Sequence, residues 1–194
     1  MKNLILTLFL ISPMLLSAQY SKPTRIFGKG QVDVQAAVGI FPTYIADHPE
    51  PIVPPLHLSV RWMVARQVSL SAFTGYSTCR SREELAFDNA RGRWYNQTWF
   101  LGIENGFHYT KLDNWDLHGG LSLLYQHVQL DTESPELKRA MEHSGIKFQR
   151  GKMALTAYVG ARFALSPHYT VFTELGYGVS ILKVGVGYRL AAGR

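Results

Sequence analysis

The strongest constraint on this chain is an alternation of apolar with polar or small residues that recurs in eight segments. In residues 30–41, Val32, Val34, Ala36, Val38 and Ile40 share one face, while Asp33, Gln35, Ala37 and Gly39 share the other. Leu56, Leu58, Val60 and Trp62 likewise oppose His57, Ser59 and Arg61, and Val68, Leu70, Ala72, Thr74 and Tyr76 oppose Ser69, Ser71, Phe73 and Gly75. A fourth segment sets Trp99, Leu101, Ile103 and Phe107 against Thr98, Gly102, Glu104, Gly106 and His108. A fifth sets Leu117, Leu121, Leu123 and Tyr125 against His118, Ser122 and Gln126; a sixth sets Met153, Leu155, Val159 and Phe163 against Thr156, Tyr158 and Arg162. Tyr169, Val171, Leu175 and Tyr177 then face away from Thr170, Phe172 and Glu174. Finally Leu182, Val184, Val186, Tyr188 and Leu190 face away from Lys183 and Arg189. The pattern predicts an all-β chain of eight two-faced strands.

The connections alternate in length. Long ones at residues 42–55, 79–92 and 129–151 take turns with short ones at 65–67, 111–116 and 166–168; the last, at 178–180, is short. Transmembrane barrels have this asymmetry, with short periplasmic turns and longer outer loops, and they carry aromatic girdles at both interfaces. Trp62, Phe107, Tyr109, Trp115, Phe163, Tyr169 and Tyr188 fall at one set of strand ends, and Phe41, Tyr76, Trp94, Tyr95, Tyr125 and Tyr177 at the other. A soluble periplasmic lipocalin-like binding barrel shares the alternation. The near absence of charge from the apolar faces favours lipid. The expected architecture is an eight-stranded antiparallel up-and-down transmembrane β-barrel.

Residues 1–18 read as a cleavable secretory signal peptide: Lys2 is followed by an apolar run at 4–16, too short for the roughly 20 residues of a spanning helix. Residues 19–194 are then the barrel domain. Cys79 is the single cysteine, so no internal disulfide forms, and it is expected at a loop or barrel rim.

Near the C-terminus, Lys183, Gly185, Tyr188 and Leu190 stand at a polar, glycine, aromatic, apolar spacing that resembles the C-terminal signal read by the barrel-assembly machinery. With the signal peptide and the stretch Val171-Phe172-Thr173-Glu174-Leu175-Gly176-Tyr177-Gly178, the mature chain resembles the small bacterial outer-membrane β-barrel proteins of the single-domain Bacteroidota kind. The resemblance implies an exported protein of the bacterial outer membrane, with residues 191–194 extending past the usual apolar end.

An eight-stranded barrel encloses only enough space for side chains, which excludes a porin-width channel. Its inward list carries Asp33, Glu104 and Glu174 with Arg61, Arg162, Lys183 and Arg189, and charges in so small an interior are expected to pair. The expected role is non-enzymatic, structural or recognition-based through outer loops, for an unknown extracellular ligand or protein. The main rival is an outer-leaflet lipid A-modifying enzyme, for which His57 and Ser59 are the candidate pair. No metal-ligand spacing is evident among the histidines, and no cofactor is implied. Ser134, Pro135, Glu136 and Gly145 predict a helix over 135–143 with Leu137 and Met141 as its packed stripe. The second long loop, with Arg80, Arg82, Arg91 and Arg93, is expected to meet lipopolysaccharide phosphates. Nucleic acid is not expected as a partner, and the chain is expected to be a monomer.

Overall fold

The structure is a computed structural model that describes residues 28–41, 50–81, 85–87, 90–112 and 114–191. The expected signal peptide and its cleavage site lie outside these residues. Among the described residues ten strands follow in order: β1 (Val32–Gly39), β2 (Glu50–Ala65), β3 (Val68–Arg80), β4 (Leu85–Phe87), β5 (Ala90–Gly92), β6 (Trp94–Tyr109), β7 (Trp115–Thr132), β8 (Gln149–Ala164), β9 (Tyr169–Gly176) and β10 (Leu182–Ala191). One helix, α1 (Pro135–His143), lies between β7 and β8. Eight strands close in the order β1-β10-β9-β8-β7-β6-β3-β2, every neighbour antiparallel, and β4 with β5 forms a separate hairpin in a loop. Closure comes from β10 folding back on β1, with Val34 opposite Tyr188 and Ala36 opposite Val186.

Period two decides what each face meets. Outward positions are exposed and apolar, as with Leu101, Ile103 and Phe107 on β6 and Met153, Leu155 and Val159 on β8. Inward positions are buried and mostly polar, as with Arg61, Glu104, Asp116 and Arg162. This inverts a water-soluble fold, in which the apolar face would be covered. On β7 the outward belt runs from Trp115 to Tyr125, ten residues apart; at ~3.3 Å per residue and a tilt of ~40° that is ~25 Å of height. Beyond it the outward residues are His127, Gln129 and Asp131. Aromatic rings pair at both margins: Trp115 with Phe163 at 5.0 Å and Tyr169 with Tyr188 at 5.2 Å at the turn end, Tyr76 with Trp99 at 4.5 Å towards the loops.

Several connections are shorter than the alternation predicts. β2 starts at Glu50, inside the expected 42–55 loop, although it carries Pro51, Pro54 and Pro55. Here β2 pairs with β3 alone, through two register shifts, because β1 ends at Gly39, and an edge tolerates prolines that lack a donor. β7 and β8 stay paired as far as Gln129 opposite Gln149, so the expected 129–151 loop shrinks. Above the apolar belt a strand needs no apolar face, so alternation fades while backbone pairing persists. For the same reason Cys79 lies buried within β3 and not in a loop. The expected 111–116 turn also closes early: Asn114, at φ 60°, completes it, and Asp116 already belongs to β7 with its side chain inside the barrel.

One irregularity interrupts the wall. Asn105 is the polar member of the outward face of β6, and its Oδ1 accepts the Leu121 N–H at 2.8 Å. Its own carbonyl accepts the Tyr158 hydroxyl from the interior at 3.0 Å. The side chain thus replaces a backbone acceptor that the core has taken. Gly120 permits this close approach, since a Cβ there would collide with the Asn105 carbonyl.

Candidate functional site

The interior divides into two halves. Towards the turn end lies a connected set of charged and polar groups contributed by nearly every strand. Arg162 Nη1 donates to Asp33 Oδ2 at 2.8 Å and Nη2 to Asp116 Oδ2 at 3.0 Å. Arg61 Nη2 donates to Glu174 Oε1 at 3.0 Å and stands 4.0 Å from Glu104 Oε2. Lys183 Nζ reaches Glu174 Oε2 at 2.8 Å from the neighbouring strand, and Arg189 Nε stands 3.7 Å from Asp33 Oδ1. Four carboxylates (Asp33, Glu104, Asp116, Glu174) thus face four cations (Arg61, Arg162, Lys183, Arg189). Such balance is what burial demands, since an unpaired interior charge costs several kcal/mol, about 3–5 when one partner is removed.

All seven charged interior residues expected from alternation, Asp33, Arg61, Glu104, Arg162, Glu174, Lys183 and Arg189, lie in this set. Asp116, His108 and His118 join it, although alternation did not connect them. His108 and His118 are cross-strand partners on β6 and β7, their rings stacked with centroids 5.5 Å apart. His108 donates from Nδ1 to the Asp116 carboxylate at 2.8 Å, because a carboxylate can only accept, which leaves Nε2 to accept the Ser69 hydroxyl at 2.8 Å. His118 Nε2 donates to Glu174 at 3.0 Å, and its Nδ1 lies 3.5 Å from Asp116 Oδ2. The sequence did hold a signal for the cluster. Asp116 and His118, two apart, share a face, and a short turn from His108 brings the three together.

The arrangement can be tested against two chemistries. Ser69, His108 and Asp116 follow the hydrogen-bond order of a nucleophilic triad, but Ser69 is 0% exposed and Asp116 is held by Arg162 as well. His108, Asp116 and His118 also place three ligand-type atoms within 4.8 Å of one another. The Arg162 guanidinium on the same Asp116 oxygen already supplies the positive charge a metal would bring. The geometry is that of a lattice of charge-assisted hydrogen bonds.

His57 and Ser59 share the inward face but do not act on each other. His57 stacks on Phe73 with centroids 5.2 Å apart, and Ser59 donates to Gln35 Oε1 at 3.3 Å. No carboxylate orients either side chain among their hydrogen bonds. Of the terminal signal residues, Lys183 and Gly185 point inward, Gly185 leaving room for Phe172 and Ala37, while Tyr188 and Leu190 are exposed on the belt.

Towards the loop end the interior turns apolar. Phe73, Phe100, Leu124 and Val179 pack together, with Val179 reaching in from the β9–β10 connection as a lid. Between the two halves is a small cavity lined by His57, Glu104, Thr156, Tyr158 and Lys183. Its size suits one or two water molecules. Above the barrel, α1 is capped as expected: Ser134 Oγ accepts the Leu137 N–H at 3.2 Å, Gly145 follows with φ 78°, and Leu137 and Met141 are buried beneath it. In the second loop Arg80 pairs with Glu50 at 2.9 Å and Arg93 lies near Glu133. Arg91 is exposed, and Arg82 lies outside the described residues.

No family model matches the chain, and no curated protein matches it. Solved structures do. Ail of Yersinia pestis in complex with the heparin analogue sucrose octasulfate aligns at 12% identity, TM-score 0.48, over 84% of this chain and 99% of that one. Neisserial surface protein A aligns at 11% identity, TM-score 0.48, over 82% and 94%. The outer membrane protein OprG from Pseudomonas aeruginosa aligns at 12% identity with a TM-score of 0.60, over 87% of this chain and 99% of that one. At that identity the likeness is one of fold: the chain is a closed eight-stranded barrel of the kind that OprG also forms.

Proposed function

We propose that this protein is an integral outer-membrane β-barrel of the small single-domain kind found in Bacteroidota, closed to diffusion by its interior ion-pair lattice and acting through its loop end. The observation that carries the reading is the inversion of polarity: a continuous exposed apolar belt about one bilayer thick surrounds an interior of paired charges. A lipocalin-like binding barrel would need the reverse. Paired charges in the turn half and the cluster of Phe73, Phe100, Leu124 and Val179 in the loop half fill the interior, which supports a structural or surface-recognition role over transport. Catalysis by His57 and Ser59 is disfavoured by their separate partners, and catalysis by Ser69 by its complete burial. The C-terminal strand, with Lys183, Gly185, Tyr188 and Leu190, is the segment offered to the barrel-assembly machinery.

The test is membrane fractionation with gel migration before and after boiling. The folded barrel is expected in the outer-membrane fraction, migrating differently when unboiled. A soluble periplasmic product with no heat-dependent shift would reject the reading. For the enzymatic rival, His57→Ala is expected to leave the lipid A acylation pattern unchanged by mass spectrometry.

A further inference from the structure

We propose that the loop end of β8, at Met153 and Leu155, is a docking edge for an extended segment of a partner polypeptide, apolar on its lipid side and acidic on its inward side. The inference rests on the membrane reading above. β8 has strand neighbours on both sides only along its lower part. Its register with β9 runs from Tyr158 opposite Gly176 to Ala164 opposite Thr170, and one further bond, from the Tyr177 N–H to the Ala157 carbonyl at 3.2 Å, closes it above. The Phe148 carbonyl accepts the Leu130 N–H from the β7 side. Even-numbered residues of β8 therefore turn their backbone groups to β7 and odd-numbered ones to β9. Met153 and Leu155 hold their N–H and C=O groups to the β9 side, where no described residue pairs with them.

The level of this edge gives the gap its consequence. Met153 stands opposite Tyr125 of the outer girdle, and Leu155 stands opposite Leu123, one step deeper in the belt. Backbone donors and acceptors left open in lipid are costly, so this edge favours a strand that satisfies them. The far side of the same gap does not invite one. Between the tall strands β8 and β2 lie the shorter β9, β10 and β1, and β2 above Leu56 also lacks a described neighbour on the β1 side. There it carries Pro51, Pro54 and Pro55, which have no N–H to offer, whereas β8 has no proline.

Side chains specify the occupant. Met153 and Leu155 face lipid, 64% and 71% exposed, and call for apolar residues beside them. On the inward phase stand Arg150 and Lys152, both exposed, above Ala154 and Thr156. No Asp or Glu occurs in residues 144–156. Opposite charges across a strand pair stabilise it and like charges oppose it, so acidic residues fit beside Arg150 and Lys152. A second copy inserted in the same direction would bring its own β8 alongside in parallel and set these cations against their counterparts. In strand addition the main chain supplies affinity and alternate side chains supply selectivity.

The test uses the full-length mature protein in phosphatidylcholine nanodiscs, with a synthetic peptide of alternating leucine and glutamate as probe and a leucine–lysine peptide as control, binding to empty nanodiscs being subtracted. Wild type is expected to bind the acidic probe at least tenfold more tightly than the basic one, and the Leu155 amide proton to move downfield in the NMR spectrum as it gains an acceptor. Leu155→Pro removes a donor that no described residue uses, and it is expected to weaken probe binding about tenfold with heat-modifiable migration retained. Should it not fold, Met153→Pro is read in its place. R150Q/K152Q is expected to erase the preference between the peptides. Equal binding of the two peptides by wild type, or unchanged binding by the proline variant, overturns the proposal. A Leu155 amide that does not move at saturation also overturns it, since lipid, water or the chain itself then covers the edge. So does a dimer in the nanodiscs that excludes the probe, which makes the occupant a second copy. No probe binding by a wild type that inserts rejects this site only, whereas failure to insert rejects the membrane reading.

Discussion

The two halves of the barrel interior are filled by opposite chemistries. The turn half is held by directed contacts among charges, where Arg162 reaches Asp33 and Asp116 on two different strands. The loop half is held by the shape of Phe73, Phe100, Leu124 and Val179. Directed contacts fix which strand stands opposite which, and fail sharply when one member is lost. Apolar packing is more forgiving, since neighbours relax into a void. The contrast suggests that register is set near the turns, whereas the loop half closes the barrel against the outside.

Removing one charge should break the comparison most clearly. Arg162→Ala leaves Asp33 and Asp116 without their shared cation and is expected to destabilise the folded barrel by about 3–5 kcal/mol, read from the urea midpoint in micelles or bilayers. A loss under 1 kcal/mol would show that the lattice is hydrated and not a plug. Leu124→Ala tests the other half: a void of this kind costs about 3 kcal/mol, with the lattice intact. If Leu124→Ala proves costlier than Arg162→Ala, the ranking of the two halves is reversed.

Asn105 sits in the wall beside the lattice residue Glu104, its carbonyl accepting the Tyr158 hydroxyl. Asn105→Ala strips the Leu121 N–H of its acceptor on a lipid-facing wall, at an expected cost of about 2 kcal/mol. Hydrogen exchange at Leu121 should accelerate in the variant, and unchanged protection there would mean that the wall reseals with backbone alone. The smallest effect belongs to α1. Ser134→Ala removes its cap and is expected to cost the helix about 1 kcal/mol, with barrel unfolding unchanged. Glu136 has its carboxyl held below the usual range by its own backbone N–H and by the Ser134 hydroxyl. Its contribution is thus fully present above the unfolded value near 4.5 and lost as pH falls through the lower folded value. Helix protection should fall on acidification below pH 4.5 in wild type and less so in Glu136→Gln.

Much of the barrel is legible from alternation because one residue in two faces lipid, and lipid admits few charges. That rule placed Asp33, Arg61, Glu104, Arg162, Glu174, Lys183 and Arg189 inside, and the capping signals at Ser134 and Gly145 placed α1. It failed where the environment changes. Above the belt, β7 and β8 continue as polar strands, and at the turn Asp116 looked like a loop residue because it follows a run rich in turn formers.

Period two is a local property, so the eight barrel strands, their two faces and most of the buried charges were legible along the chain, while the β4–β5 hairpin was not. Which charges meet was fixed when the barrel closed. Pairing depends on register and shear between strands far apart in the chain, as with Arg162 and Asp33 or Arg61 and Glu174. Register also decided that Arg80 on β3 would meet Glu50 on β2. A charge is written in the sequence, but its partner is set by the closure of the barrel.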